Sequence, residues 1–173
     1  MKIFLLFNIF IFIIFLNNVG AEQKIVFLDM DRVVSTSSAG TSILNQLKDL
    51  SNKNLSSLNK RETIIKEKET KLISQKNIIS ETEFINKVEL LKKEINEHNQ
   101  NRKKLMTNFK DLKIENTNKL LELINPILIK YSNDNEISFI LQKKDLIIAK
   151  TEYDITDDIL KIINNDIKEF NIN

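Results

Sequence analysis

Asp29 and Asp31 close an apolar run, Val26-Phe27-Leu28-Asp29-Met30-Asp31. Two carboxylates at a strand end, with one residue between them, can serve as an aspartyl nucleophile and its acid/base partner. The same pair can also hold Mg²⁺. Nothing else in the chain completes such a site. An enzyme of that kind needs βαβ units, and this chain carries long heptad-patterned stretches instead. A second acidic pair, Asp157-Asp158, has a simpler role at the positive end of a helix. His98 is the only histidine and there is no cysteine. This excludes a His-based metal cluster, a thiol nucleophile and any disulfide. Beyond residue 21 a single glycine, Gly40, makes no phosphate-cradling loop. The simplest reading of Asp29 and Asp31 is a strand end followed by charged residues. No catalytic, metal-binding or cofactor-binding residue is assigned, and no cofactor, ATP included, is expected.

The elements around these residues begin after a targeting segment. Lys2 precedes an almost unbroken apolar stretch over residues 3–16, and Val19-Gly20-Ala21 supplies small residues. This is the layout of a secretory signal peptide cleaved after Ala21. The apolar run is shorter than the ~20 residues a membrane span needs. Residues 1–21 hold one charged side chain, so 25 basic and 24 acidic residues remain after cleavage. A net charge of +1 gives no concentrated basic face for nucleic acid. The rest amounts to one domain's worth of chain without disulfides. Such chains commonly gain stability by oligomerising.

The dominant pattern is a stripe that steps by four and three. It runs through Phe84, Val88, Leu91, Ile95, His98, Arg102, Leu105, Phe109, Leu112, Asn116, Lys119 and Leu123. A 3.5-residue period held this long predicts a helix packed along one seam against a partner helix. From Thr82 to Tyr131 it would reach about 75 Å. Residues 43–79 predict the partner, with Leu44, Leu58, Ile65, Leu72 and Ile79 on a seven-residue repeat that Ser51 interrupts once. Its companion seam positions, Arg61, Lys68 and Gln75, are polar. A turn over residues 77–80 and a capping box from Ser80 to Glu83 make the pair antiparallel. Ile79 then meets Phe84, Leu72 meets Leu91, Ile65 meets His98, and Leu58 meets Leu105. Polar His98 and Arg102 interrupt the seam and loosen it or set its register.

Around this hairpin the chain predicts a small body. Residues 24–29 read as a buried strand and Met30 to Ser35 as a helical turn. Residues 37–42 read as a break, with Ser42 as N-cap of the first long helix. Residues 120–129 are apolar on more than one face, as in a buried helix, and Pro126 predicts a kink or restart. Residues 137–141 and 146–149 read as two strands joined by a turn at 142–145. Thr156 caps a terminal helix whose buried face holds Ile155, Ile159, Ile162, Ile163 and Phe170. The fold class is α+β, mainly α: a long antiparallel coiled-coil hairpin on a small β-strand body with a C-terminal helix. Residues 22–42 and 120–173 form the body, and residues 43–119 the arm.

Two end motifs flanking such a hairpin resemble the Skp/OmpH family of periplasmic chaperones. They are Ile25-Val-Phe-Leu-Asp-Met-Asp-Arg-Val-Val34 with Ser38-Ala-Gly40, and Asp154-Ile-Thr-Asp-Asp-Ile-Leu160 with Asn164. The resemblance implies a homotrimer in which the strands build a barrel-like body. Three arms hang from it as tentacles around a cavity. Unfolded outer-membrane β-barrel proteins are held there without ATP and kept from aggregating. It places the mature chain in the periplasm. The expected partners are unfolded outer-membrane proteins, two further copies and, transiently, a membrane surface. Ile25, Phe27, Phe139, Leu141, Ile147, Ile155 and Ile159 are then the expected oligomerisation residues. Ile64, Ile73, Ile78 and Ile85, spare of the seam, are the candidates for client contact, with hairpin packing as their other role. Some members have strongly basic arms. This chain is near neutral, so no lipopolysaccharide-site residue is carried over. The alternative function is an envelope coiled-coil scaffold or adaptor that binds one folded partner.

Overall fold

The computed structural model describes residues 23–168 and 170–172. The expected signal segment and its expected cleavage position lie outside the described residues. The elements run β1 (Lys24–Leu28), α1 (Met30–Thr36), α2 (Ser38–Gln75), α3 (Glu81–Asp134), β2 (Ile137–Gln142) and α4 (Thr156–Asp166). Short 3₁₀ turns at Lys143–Asp145 and Thr151–Tyr153 link β2 to α4.

Helix α1 starts at an N-cap, Asp29, whose side chain accepts from the Arg32 backbone N–H at 2.9 Å. Asp31 lies in the first turn, where its charge suits the positive end of the helix. One residue, Ser37, separates α1 from α2. Its extended backbone and its hydroxyl, which accepts from the Gly40 N–H at 3.1 Å, cap α2. The expected break at residues 37–42 with Ser42 as cap is therefore corrected. The helix has already begun, and Gly40 sits inside its first turn. The glycine is there for close approach. A Cβ at this position would lie 1.7 Å from the Val34 carbonyl oxygen.

Helices α2 and α3 form the antiparallel hairpin. Helix α2 ends at Gln75, four residues short of the expectation, and Ser80 caps α3 by accepting from the Glu83 N–H at 3.3 Å. Lys68 reaches Glu94 at 2.6 Å, and Lys87 reaches Gln75 at 3.3 Å. This is the register the two stripes predict. Most of the α3 stripe from Phe84 to Lys119 is at least half-buried, with Arg102 exposed. Nearer the base the pattern departs. Leu123 is 46% exposed, while Leu120 and Ile124 are buried. From Phe109 the buried positions run 109, 112, 116, 120, 124. Steps of four rotate the face away from the 3.5-residue seam and onto the body.

Helix α3 has 54 residues, about 81 Å. It passes through Pro126 without restarting. Pro126 and Glu122, whose carbonyl loses its partner, both lie on the exposed side, where water can take the bond.

Asn116 is wholly buried in the stripe. Its Nδ2 donates to the Leu112 carbonyl at 2.7 Å, and its Oδ1 has no partner among the described residues. An unmet buried acceptor costs about 1–3 kcal/mol. Asn116→Leu is therefore expected to raise the urea midpoint at unchanged m-value. A lower midpoint would mean that the amide is satisfied in the assembled protein.

Strand β2 returns from the arm and pairs parallel with β1, with Ile25 opposite Phe139, Val26 opposite Ile140 and Phe27 opposite Leu141. The expected strand over residues 146–149 and its hairpin with β2 are absent. Residues 142–145 hold no Gly or Asn for the left-handed positions of a tight hairpin. The chain takes a 3₁₀ turn instead and leaves the sheet. The core lies under the two strands, where Val26, Leu28, Val33, Ile43, Leu120, Ile124, Ile159 and Ile163 pack together. Ile43 and Leu47 of α2 belong to it, and Phe109 and Leu112 of α3 pack against it. The base of the arm and the body share one core.

Candidate functional site

Residues of the two end motifs are joined in one structural node. The Asp154 carboxylate ends the connector before α4. One oxygen accepts from the Thr156 N–H at 3.0 Å and also from the Thr156 hydroxyl. The other accepts from Lys143 at 2.8 Å. The Thr156 oxygen in turn accepts from the Asp29 N–H at 3.0 Å. Arg32 pairs with Asp157 at 2.7 Å, and the Ser38 N–H donates to Asn164 at 2.7 Å. Thr156 is therefore not the cap the sequence suggests. It is the first residue of α4, and Asp154 supplies the acceptor. These bonds clamp the end of β1 to the start of α4. Among the described residues, no cluster of three or more His, Cys, Asp or Glu side chains is placed to hold a metal ion.

Partial burial works against the charge on Asp154, but the bonds from Lys143 and Thr156 outweigh it and hold the carboxyl below its ordinary range. A lowered folded-state value contributes stability that is complete above the unfolded-state value, about 3.9. That stability is lost as pH falls through the folded value. Asp154→Asn should cost about 1–2 kcal/mol at pH 7. The gap between variant and parent should be smaller at pH 3, below the unfolded-state value, than at pH 7. Urea melts at the two pH values check this, and an equal gap at both would sink the charge argument.

Above this node the sheet carries an open apolar face. A groove of about 920 Å³ lies between the two strands and the connector, lined by Ile25, Phe27, Leu141, Leu146, Ile148 and Tyr153, among others. Of the seven expected oligomerisation residues, four are accessible. Ile25, Phe139 and Leu141 are each about half exposed, and Ile147 is 99% exposed. Phe27, Ile155 and Ile159 are buried within the chain's own core. Sequence reasoning missed Ile148, which is 92% exposed. An alternating strand would have hidden one of the adjacent Ile147 and Ile148. Their shared exposure follows from the absence of a third strand.

The arm carries the second set. Ile64, Ile73, Ile78 and Ile85 are 42%, 67%, 80% and 50% exposed, so seam packing leaves much of each side chain free. They do not form one patch. Ile64 and Ile73 stand on α2, Ile78 lies in the turn beyond its end, and Ile85 stands on α3. Leu90 and Met106 are exposed as well. Both directly follow or precede a stripe residue in sequence, and that adjacency is the signal that could have found them. Glu94 receives both Lys68 and Arg61, and the lysine bond holds its carboxyl below the ordinary range. His98 lies half-buried in the seam with its Nδ1 buried and unpartnered among the described residues. No described helix is long and apolar enough to cross a membrane.

A family model described as outer membrane protein (OmpH-like) matches residues 24–163. No curated protein matches the chain. Among solved structures, similarity extends to a crystal structure from Caulobacter crescentus CB15 described as an outer membrane chaperone (OmpH-like). The TM-score is 0.82 over 88% of this chain and 90% of that one, at 16% identity. At that identity the likeness is one of fold.

Proposed function

The chain belongs to the family of OmpH-like outer membrane proteins, and from this we propose that it is an ATP-independent periplasmic holdase chaperone. It binds unfolded outer-membrane β-barrel proteins in a cavity between helical arms and prevents their aggregation. The observation that carries this reading is the placement of aliphatic side chains. Ile64, Ile73, Ile78 and Ile85 stand exposed on an arm that leaves its core at the base. A holdase needs many weak, reversible contacts, which summed over several arms give avidity. Arms become several through a homotrimer whose contacts include Ile25, Phe139, Leu141 and Ile147. Phe27, Ile155 and Ile159 support that surface from beneath. The chain acts after secretion and cleavage at Ala21, and performs no catalysis.

The test is the native mass of residues 22–173, alone and with a urea-unfolded outer-membrane β-barrel protein added by dilution. We expect a trimer that gains one client without nucleotide and suppresses light scattering. A monomer or dimer that leaves the client to aggregate would overturn the reading in favour of a scaffold for a folded partner.

A further inference from the structure

Beyond α4, segment 170–172 lies back against the start of α2. Phe170 and Ile172 are half-buried against the core. Two side chains of α2 bind the backbone between them. The Phe170 carbonyl accepts from Gln46 Nε2 at 2.6 Å and from the Ser42 hydroxyl at 3.0 Å. The Ile172 N–H donates to Gln46 Oε1 at 3.2 Å. One amide side chain thus offers a donor and an acceptor to a carbonyl and an N–H two residues apart, as a neighbouring strand would. The two seated side chains are apolar and alternate with exposed Asn171. None of the fully buried core residues comes from this segment. It lies beyond the family match, which ends at residue 163.

We propose that segment 170–172 is a displaceable strap. Its seat on α2, built around Ser42 and Gln46, accepts an extended client segment with apolar residues at alternate positions. The strap itself shows what the seat reads: a carbonyl and an N–H two residues apart on one edge, with apolar side chains packed beneath. The seat contacts backbone and apolar surface, so it is tolerant of sequence, and this suits a partner that binds unfolded chains. A tethered strap competes at an effective concentration in the millimolar range. Weak segments are therefore refused and only the tighter ones displace it. The identity of the occupant as a client rests on the chaperone reading; the strap and its seat do not.

The probe is a fluorescein-labelled peptide of residues 167–173, read by anisotropy against the full mature chain. Phe170→Ser with Ile172→Ser frees the seat, and this variant should bind the peptide at least tenfold more tightly than the parent. Adding Gln46→Ala to it should lose that gain. Equal affinity for parent and double variant, or a gain that survives Gln46→Ala, would overturn the proposal. Should the variant fail to fold, hydrogen exchange of the parent decides. Saturating peptide should speed exchange at the Ile172 amide, and no change there would refute displacement. Aggregation suppression is measured separately. Peptide binding without suppression would leave the strap standing and remove its client.

Discussion

Gly40→Ala is expected to destabilise the body by about 3–5 kcal/mol, lowering Tm by at least about 10 °C. The first turn of α2 passes so close to α1 that an added Cβ would meet the Val34 carbonyl oxygen at 1.7 Å and its carbon at 2.8 Å. Both atoms are backbone, so no rotamer change relieves the clash. Relief needs α1 to move from α2. The moving helix carries Val33, which is fully buried, and pulls on the adjoining Ser37, which is fully buried as the cap of α2. The displacement would therefore open the core and undo a cap together. Ser38→Ala is the control, since that side chain is exposed and its backbone N–H keeps the bond to Asn164. Thermal melts followed by far-UV circular dichroism read both. A Gly40→Ala protein melting within about 2 °C of the parent would show that the two helices are not held at this distance.

The second large effect concerns assembly. Ile147→Asp with Ile148→Asp should leave the fold of a single chain unchanged, because both side chains stand 92–99% exposed. In the proposed trimer the same two positions become buried. An aspartate there would have to lose its water without a partner, a cost of several kcal/mol per charge. The expected result is a helical protein with the mass of one chain at micromolar concentration, and with no suppression of client aggregation. Light scattering coupled to size exclusion measures the mass. A double variant that remains trimeric would remove residues 146–149 from the interface and return attention to Ile25, Phe139 and Leu141.

The hairpin was legible because its signal is local and periodic. A 3.5-residue stripe on each helix and a turn between them leave one antiparallel register, and Lys68 with Glu94 occupies it. Three features were not legible, each for its own reason. Gly40 among serines reads as a break, but its role depends on a carbonyl six residues earlier, and close approach has no sequence signature. Residues 146–149 have the composition of a strand, and composition does not supply the partner a strand requires. The parallel pairing of β1 with β2 joins residues more than a hundred positions apart, where no local pattern operates. At the site, the sequence favours a charged strand end over a nucleophile for Asp29 and does not show that the residue caps a helix. That role rests on the Arg32 N–H at 2.9 Å, a contact visible only in three dimensions. The arm isoleucines could be named because they fall off the stripe, whereas the buried places of Phe27, Ile155 and Ile159 depend on how the body closes.

The pairing of β1 with β2 also sets an order of events. Lys24 meets Ile137, so the first strand waits for a partner that emerges after the whole hairpin. Closing so long a loop is slow when the intervening chain is loose. An arm that zips first brings its two ends together and shortens the search to the few residues outside it. The expected order of folding therefore runs from the tip toward the body. In the secretion proposed above, β1 would cross first yet stay unpaired until nearly all of the chain had followed. Mutations that weaken the arm's seam should therefore slow the closure of a sheet they never touch.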